Sequence, residues 1–171
     1  MQELYIPMER LAILKERKSI LVGLEKSLRC KISIEVHGGV TIDGEAFEEY
    51  LARNVLYAFG RGFDIKSAEL LLDENYYFSY LNIKDYVNSK NRIKVIKARL
   101  IGSEGRAKKY IETVSSAKVS IYGDTVSFIG NIEQIKEATA AAKTIIEGGS
   151  HKLAYKRMEA THRKNKKDIF V

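Results

Sequence analysis

Residues 97–109 read KARLIGSEGRAKK, and their centre is the tetrad Gly102-Ser103-Glu104-Gly105. Apolar residues at helical spacing flank this tetrad, so the sequence predicts two short helices that meet at a tight, glycine-framed turn. Glycine has no Cβ, which lets an extended sugar-phosphate backbone lie directly on such a turn. The free N–H groups of a helix that opens at Arg106 would face its phosphates. The turn is therefore the candidate functional surface.

The segments around the turn make a more specific pattern than two glycines three residues apart. Apolar residues recur at helical spacing before and after it, namely Ile93, Ile96, Leu100, Ile101, Tyr110, Ile111 and Val114. Residues 118–122 then alternate as a strand, Gly123-Asp124 predicts a hairpin turn, and residues 125–129 return as a second strand. Helix, G-x-x-G, helix, strand and strand is the order of the KH module, whose glycine loop clamps a nucleic-acid backbone.

Basic residues follow the turn closely and give it a charge that suits phosphate. The predicted RNA-binding site consists of the turn and its neighbours in both helices: Lys97, Arg99, Ile101, Gly102, Ser103, Glu104, Gly105, Arg106, Lys108 and Lys109. An acidic side chain close to phosphate is unfavourable by on the order of 1 kcal/mol. We therefore expect Glu104 to point away from the RNA, while Arg106, Lys108 and Lys109 outweigh its charge.

Charge divides the chain into two unequal halves. Residues 1–89 contain 11 Lys and Arg against 14 Asp and Glu, a net charge of −3, whereas residues 90–171 contain 18 against 8, a net charge of +10. Within the second half, residues 90–118 contribute +7 and residues 151–171 contribute +5. Such focused positive charge indicates a polyanion as the partner of the C-terminal half. Solvated helix faces without a partner are the plainer alternative.

Membrane, redox and catalytic signatures are missing from the sequence. No apolar run approaches the roughly 20 residues that cross a bilayer, and the first residues do not form a leader peptide, so we expect a cytoplasmic protein. The single Cys30 has no partner for an internal disulfide and is expected to be a buried structural thiol. The three histidines, His37, His151 and His162, have no spacing that pairs two of them as metal ligands. The sequence therefore predicts no catalysis, cofactor or metal.

Two parts of the chain repeat each other. Residues 28–35 match residues 115–122 at an offset of 87, and residues 40–44 match residues 126–130 at an offset of 86. Each copy then continues into a predicted helix that ends at glycines and is followed by another helical segment. The chain is therefore predicted to be a tandem duplication of one module.

The repeat gives the predicted domain organisation and fold class. We expect α+β modules at residues 1–75 and 76–171, each with the order strand, two helices, two strands, helix. The first strands are predicted at Tyr5-Ile6-Pro7 and at residues 77–85. Each would be a type I KH module, with a three-stranded antiparallel sheet covered by three helices.

The glycine turn occurs in only one of the two copies. Opposite Gly102-Ser103-Glu104-Gly105, the first copy has Lys15-Glu16-Arg17-Lys18, which contains no glycine. These residues are good helix formers, so the stretch is expected to continue as helix or to form a bulkier turn whose side chains keep a nucleic-acid backbone away. The first module is therefore predicted to be a scaffold or a protein-contact module.

The whole chain resembles the archaeal two-KH-domain proteins of small-subunit ribosome assembly, the family of the partner of the Nob endonuclease. The residues that carry the resemblance are Arg99 to Arg106, Ile111-Glu112, Val119 to Gly123, Val126 to Gly130 and Gly149-Ser150-His151. The resemblance implies two KH modules, of which the second binds single-stranded rRNA near the 3′ end of the small-subunit RNA. It also implies the α subunit of translation initiation factor two and a Nob-type endonuclease as partners. The family usually has a basic residue inside the glycine loop, where this sequence has Ser103 and Glu104.

The alternative function is a protein-binding adaptor of the translation or assembly machinery, with an incidental basic tail. Salt dependence separates the two hypotheses. Binding to single-stranded RNA weakens by roughly 0.7 log units per log unit of salt for each phosphate that the protein neutralises.

Overall fold

The computed structural model describes residues 1–168, so the last three residues of the predicted second module lie outside the described residues. The chain divides into two compact units, Met1–Glu74 and Asn75–Val171. The division lies one residue before the module boundary that the repeat predicts.

The first unit contains three strands and four α-helices. In chain order these are β1 (Gln2–Tyr5), α1 (Met8–Glu16), α2 (Lys18–Leu28), β2 (Lys31–Ile34), β3 (Gly39–Asp43), α3 (Ala46–Gly60) and α4 (Ile65–Ala68), followed by a 3-10 helix at Glu69–Leu72. The strands form an antiparallel sheet in the order β1-β3-β2. Its core consists of side chains that repeat on one face of each element, among them Leu11, Leu14, Leu24, Ile42 and Leu56.

The second unit has the same succession of elements with longer strands. They are β4 (Tyr77–Asn82), a 3-10 helix (Ile83–Asp85), α5 (Lys90–Ile101), a 3-10 turn (Ser103–Gly105), α6 (Arg106–Ser115), β5 (Lys118–Tyr122), β6 (Thr125–Gly130), α7 (Ile132–Ile146) and α8 (His151–Asp168). The antiparallel sheet has the order β4-β6-β5, so β5 is an edge strand. The predicted pair of three-stranded antiparallel sheets is confirmed.

Local sequence explains why α5 and α7 form where they do. On α5, Ile93, Ile96 and Leu100 recur at intervals of three and four residues and are buried in the core. At the start of α7, the Asn131 side chain accepts from the Gln134 N–H while the Gln134 side chain accepts from the Asn131 N–H. This capping box satisfies N–H groups that the first turn of a helix leaves without partners.

The two units also share unusual backbone conformations at the predicted offsets. Arg29 and Ser116, which are 87 residues apart, have φ angles of 51° and 61° at the ends of α2 and α6. Gly62 and Gly148, which are 86 residues apart, have φ angles of 96° and 95°. A positive φ is uncommon for residues other than glycine, so its recurrence at Arg29 and Ser116 supports the predicted duplication. That both units are KH modules stays a prediction.

The predicted ends of several elements are wrong. The first strand is Gln2–Tyr5 rather than Tyr5-Ile6-Pro7, because Leu4 pairs with Val40 while Pro7 already accepts N–H groups from the first turn of α1. The strand predicted at residues 77–85 ends at Asn82, whose side chain accepts from the Lys84 N–H and begins a 3-10 turn. Between α1 and α2 the helix breaks at Arg17, so the bulkier turn is correct and the continuous helix is wrong.

Helix α8 packs along α7. Its contact with α7 is partly polar: His162 Nδ1 lies 2.8 Å from Glu137 Oε2, and the Asn165 side-chain amide donates to Glu137 Oε1 at 2.8 Å. Glu137 is buried, so these two partners supply the hydrogen bonds that water would otherwise give it. The alanines Ala138, Ala141 and Ala142 of α7 are buried in the core of the unit.

Candidate nucleic-acid interface

The predicted turn is present as a single 3-10 turn between α5 and α6. Gly102 has φ 75° and ψ 171°, Glu104 has φ 54° and ψ 28°, and Gly105 has φ 73° and ψ 14°. The Gly102 N–H donates to the Ala98 carbonyl at 2.8 Å and ends α5, while the Gly105 N–H donates to the Gly102 carbonyl at 3.2 Å. Three of the four turn residues therefore have positive φ angles.

The two glycines are needed for different reasons. A Cβ on Gly102 would lie 2.7 Å from both the Cβ and the backbone N of Ala107, the second residue of α6. A Cβ on Gly105 would meet nothing within 4 Å among the described residues. Gly102 thus lets α5 and α6 approach each other, whereas Gly105 leaves open space on the outer side of the turn. A nucleic-acid backbone can approach the turn closely through that space.

Glu104 is already paired within the turn. Its Oε2 atom accepts from Arg106 Nη2 at 3.0 Å, and the two side chains are 79% and 77% exposed. An exposed pair of this kind adds little stability. The positive charge of Arg106 does, however, offset the negative charge of Glu104 inside the turn. The direction of Glu104 relative to a bound RNA stays a prediction.

Lys97 adds positive charge near the turn between β5 and β6. Asp124 in that turn forms an ion pair with Lys84 at 2.6 Å. The hydrogen bond from Lys84 lowers the pKa of the Asp124 carboxyl, and the positive charges of Lys84 and Lys97 lower it further. Lys97 therefore lies close enough to the β5–β6 turn for its charge to be felt there.

The remaining residues of the predicted site surround the turn. Ile101 is 39% exposed although it ends α5, and Ser103, Arg106 and Lys109 are exposed. Lys108 is half-buried on α6. We call the set Lys97, Ile101, Gly102, Ser103, Glu104, Gly105, Arg106, Lys108 and Lys109 the loop surface. The loop surface combines a glycine backbone that another molecule can approach closely, an exposed apolar side chain and several cations. This combination suits the binding of a single-stranded nucleic acid.

Arg99, which the sequence assigned to the same site, is half-buried and binds backbone carbonyls of the unit. Its guanidinium donates to the Ile145 carbonyl at 3.3 Å and to the Gly149 carbonyl, at the end of α7. His151 Nε2 lies 2.8 Å from the Arg99 carbonyl and ties the start of α8 to the same point. Cations near a helix C-terminus satisfy its free carbonyls and interact well with its dipole.

The first unit repeats this contact with Arg10. Arg10 donates to the carbonyls of Phe59, at 3.0 Å, and Phe63. Phe59 and Phe63 precede Ile145 and Gly149 by 86 residues each. The repetition indicates that Arg99 has a structural role in closing the end of α7. Its contact with RNA stays a prediction.

A cluster between α6 and α8 was not predicted from the sequence. The rings of Tyr110 and Tyr155 have centroids 4.2 Å apart, and the Tyr110 hydroxyl donates to Glu159 Oε1 at 2.7 Å. This hydrogen bond, together with burial and the negative charge of Glu159, raises the pKa of Tyr110. The spacing of His151, Tyr155 and Glu159 at intervals of four residues was the available signal, because it places all three on one side of a helix.

Residues 1–168 contain neither a candidate metal site nor a candidate membrane span. In this part of the chain, His, Cys, Asp and Glu side chains do not form a group of three that could hold a metal ion. Across the same residues, every helix is too short or too polar to span a membrane. Cys30 is buried, as predicted, and burial raises the pKa of its thiol.

Comparison with known proteins places the chain in a family. A family model for the second KH domain of PNO1 proteins, described as a eukaryotic-type KH domain (KH-domain type I), matches residues 77–163. The KH domain-containing protein MJ0443 of Methanocaldococcus jannaschii is 35% identical over 175 residues, which cover 95% of this chain and 77% of that protein.

Solved structures are similar along nearly the whole chain. A chain in the crystal structure of the a/eIF2alpha–aDim2p–rRNA complex from Pyrococcus horikoshii OT3 has a TM-score of 0.87 at 32% identity and covers 95% of this chain and 94% of its own length. Dim2p from the same organism has a TM-score of 0.84 at 33% identity, with 93% and 98% covered. A protein of unknown function from Aeropyrum pernix, 23% identical with a TM-score of 0.91, shares the fold and covers 98% of this chain and 93% of its own. The chain therefore belongs to the PNO1/Dim2p family of KH-domain proteins.

Proposed function

We propose that the protein binds single-stranded rRNA near the 3′ end of the small-subunit RNA during ribosome assembly, through the loop surface of the second unit. The observation that carries this proposal is the open side of the turn at Gly105. Apart from its two chain neighbours, no described residue has an atom within 4 Å of the position that a Cβ on Gly105 would take. The family match of residues 77–163 supports it, since KH modules clamp a nucleic-acid backbone on such a loop. The protein would bind RNA without cleaving it.

The surroundings of the turn suit a polyanion. Residues 90–118 have a net charge of +7, and the acidic side chain inside the turn is paired with Arg106. Exposed Ile101 gives a base an apolar surface beside the turn. Phosphate contacts of Lys97, Lys108 and Lys109 would then supply affinity that depends strongly on salt.

The first unit would be a KH module without the clamp. It has the same sheet order, and an arginine binds the equivalent carbonyls at the end of its third helix, but Arg17 and its charged neighbours replace the glycine turn. We propose that it binds protein rather than RNA. The α subunit of initiation factor two is the proposed partner of the whole chain, because a similar chain occurs with it and with rRNA in a crystal structure. A Nob-type endonuclease is a further proposed partner, and the cytoplasm is the proposed location.

The exchange Gly105→Asn tests the proposal directly. Asparagine tolerates a left-handed backbone better than most residues, so the turn should form while the new side chain occupies the open space. Gly148→Asn is the matched control, because it makes the same exchange at the end of α7. Gly148 also has a positive φ, of 95°, and a Cβ there would have no described atom within 4 Å. Binding of a fluorescent mixed-sequence RNA of about five nucleotides, slightly longer than the four that a KH loop clamps, would be measured by anisotropy at low and at physiological salt.

We expect Gly105→Asn to weaken binding about tenfold or more, which corresponds to roughly 1.4 kcal/mol of binding free energy, and Gly148→Asn to leave it unchanged. Amide spectra of both variants would check that the second unit keeps its fold. Equal affinities for the wild type and Gly105→Asn would overturn the proposal and favour the protein-binding adaptor.

A further inference from the structure

Helix α8 presents a row of cations to solvent. Lys152, Lys156, Arg163 and Lys167 follow one another at intervals of four, seven and four residues and are all exposed. At about 100° per residue these intervals keep the four side chains within roughly 60° of one another around the helix. The row extends for about 22 Å along α8, given a rise of about 1.5 Å per residue.

The other side of α8 is occupied by contacts within the unit. His162 and Asn165 bind Glu137, and Arg157 donates to the Thr144 hydroxyl at 3.3 Å. In contrast, none of the four cations in the row forms an ion pair or hydrogen bond with any side chain that the structure describes. Between His151 and Lys167 the only acidic residue is Glu159, which lies three residues after Lys156 and four before Arg163. Its hydrogen bond comes from the neutral Tyr110 hydroxyl, so its negative charge offsets about one of the four cations. The row therefore keeps a net positive charge.

Two contacts fix the row beside the loop surface. His151 Nε2 lies 2.8 Å from the Arg99 carbonyl, so α8 begins next to a residue that is three positions from Gly102. One turn further along, the Tyr155 ring packs against the ring of Tyr110, which follows Arg106 by one turn of α6. The aromatic contact and the Glu159 hydrogen bond hold α8 against α6. The first turns of α6 and α8 are thus joined through this pair of tyrosines.

We propose that Lys152, Lys156, Arg163 and Lys167 form a second phosphate track, which holds the RNA strand beyond the nucleotides bound at the turn. This inference rests on the proposed function, because it extends the same bound strand. A KH loop clamps about four nucleotides. A longer strand has phosphates left over, and a fixed row of unpaired cations next to the loop would bind them by releasing their counterions.

The test compares RNA length in the full-length protein. The row variant carries K152Q, K156Q, R163Q and K167Q. The control variant carries K26Q, K31Q, R53Q and K136Q, which remove the same charge from four exposed positions outside the loop surface and α8. Each variant is titrated with two single-stranded RNAs of mixed sequence, at low and at physiological salt. The longer RNA has about twelve nucleotides. The shorter RNA is its central segment of about five nucleotides, slightly more than the four that a KH loop clamps.

We expect the row variant to bind the longer RNA about tenfold more weakly, with a salt slope smaller by roughly 0.7 for each phosphate that the protein no longer neutralises. Its affinity for the shorter RNA, and both affinities of the control variant, should stay within about twofold of the wild type, because net charge acts weakly over screened distances. Amide spectra would confirm that α8 remains docked on α7.

Two outcomes would overturn the inference. In the first, the row variant still binds the longer RNA more tightly than the shorter RNA by the same factor as the wild type. In the second, the control variant binds the longer RNA as weakly as the row variant does. The proposed function fails separately, when Gly105→Asn leaves the affinity for the shorter RNA unchanged. The two results are independent because one variant changes the turn and the other changes only α8.

Discussion

The backbone N–H of Val119 donates to Glu112 Oε1 at 2.8 Å, and this contact closes the free side of the edge strand β5. The first unit contains the same contact, since the Ile32 N–H donates to Glu25 Oε1 at 2.8 Å. Val119 follows Ile32 by 87 residues, and Glu112 follows Glu25 by the same 87 residues, which is the offset of the sequence repeat. An edge strand that is bound by the preceding helix offers fewer free N–H groups to another chain.

Glu112→Ala should open this edge locally. We expect a destabilisation of roughly 1 kcal/mol, because a half-buried N–H is deprived of a charged acceptor. Hydrogen exchange measured by NMR should become faster at Val119 and stay unchanged at Ile32, whose Glu25 contact is intact. Glu112→Gln, which keeps an acceptor oxygen, should restore most of the protection. Unchanged exchange at Val119 in Glu112→Ala would show that the contact does not protect this edge.

Gly102→Ala should destabilise the second unit by at least ~2 kcal/mol, because it combines a positive φ with a contact to backbone that cannot move freely. The new Cβ would lie 2.7 Å from the Ala107 nitrogen. Gly105→Ala is the control, since it has a similar φ and no described neighbours within 4 Å, and it should cost less. A urea series followed through the β5 and β6 amide resonances would measure both. Equal destabilisation would mean that φ strain alone makes glycine necessary at Gly102.

Arg99→Gln should lower the stability of the second unit by about 1–2 kcal/mol, because the carbonyls of Ile145 and Gly149 are deprived of a charged donor. Arg10→Gln should have the corresponding effect on the first unit, at the carbonyls of Phe59 and Phe63. A urea series followed through the β5 and β6 amide resonances measures Arg99→Gln, and one followed through the β2 and β3 amide resonances measures Arg10→Gln. If Arg99 instead acts through RNA, Arg99→Gln would weaken RNA binding while the free energy of unfolding stayed at its wild-type value.

Substitutions of Glu104 should change RNA affinity with little change in stability. Glu104→Gln removes a negative charge and releases Arg106, and Glu104→Lys also adds a cation, so affinity at low salt should rise from the wild type to Gln and again to Lys. Stability should stay within roughly 0.5 kcal/mol, because both side chains of the pair are exposed. Glu74→Lys, an exposed exchange in the first unit, controls for net charge. If the RNA affinity is the same with Glu, Gln or Lys at position 104, the RNA does not pass close to the turn.

Much of the architecture is encoded in short stretches of sequence. The alternation of residues 118–122 predicted β5 with the bounds that the structure has, and the glycine turn between two amphipathic helices is where it was expected. The repeat was also visible, because equivalent cores require apolar residues at equivalent positions in both units. These features depend on interactions within one turn or one strand, which side-chain periodicity records directly.

The partners of individual residues depended on the fold instead. Arg99 looked like one more cation of the loop, yet its hydrogen-bond acceptors are 46 and 50 residues further along the chain. Gly102 and Gly105 look equivalent in the sequence, but only Gly102 has Ala107 against it. Similarly, only the packing of α7 against α8 separates Arg157, which binds Thr144, from the exposed row of cations on the same helix. Such distinctions arise because long-range packing fixes distances between residues whose separation in sequence carries no information about them.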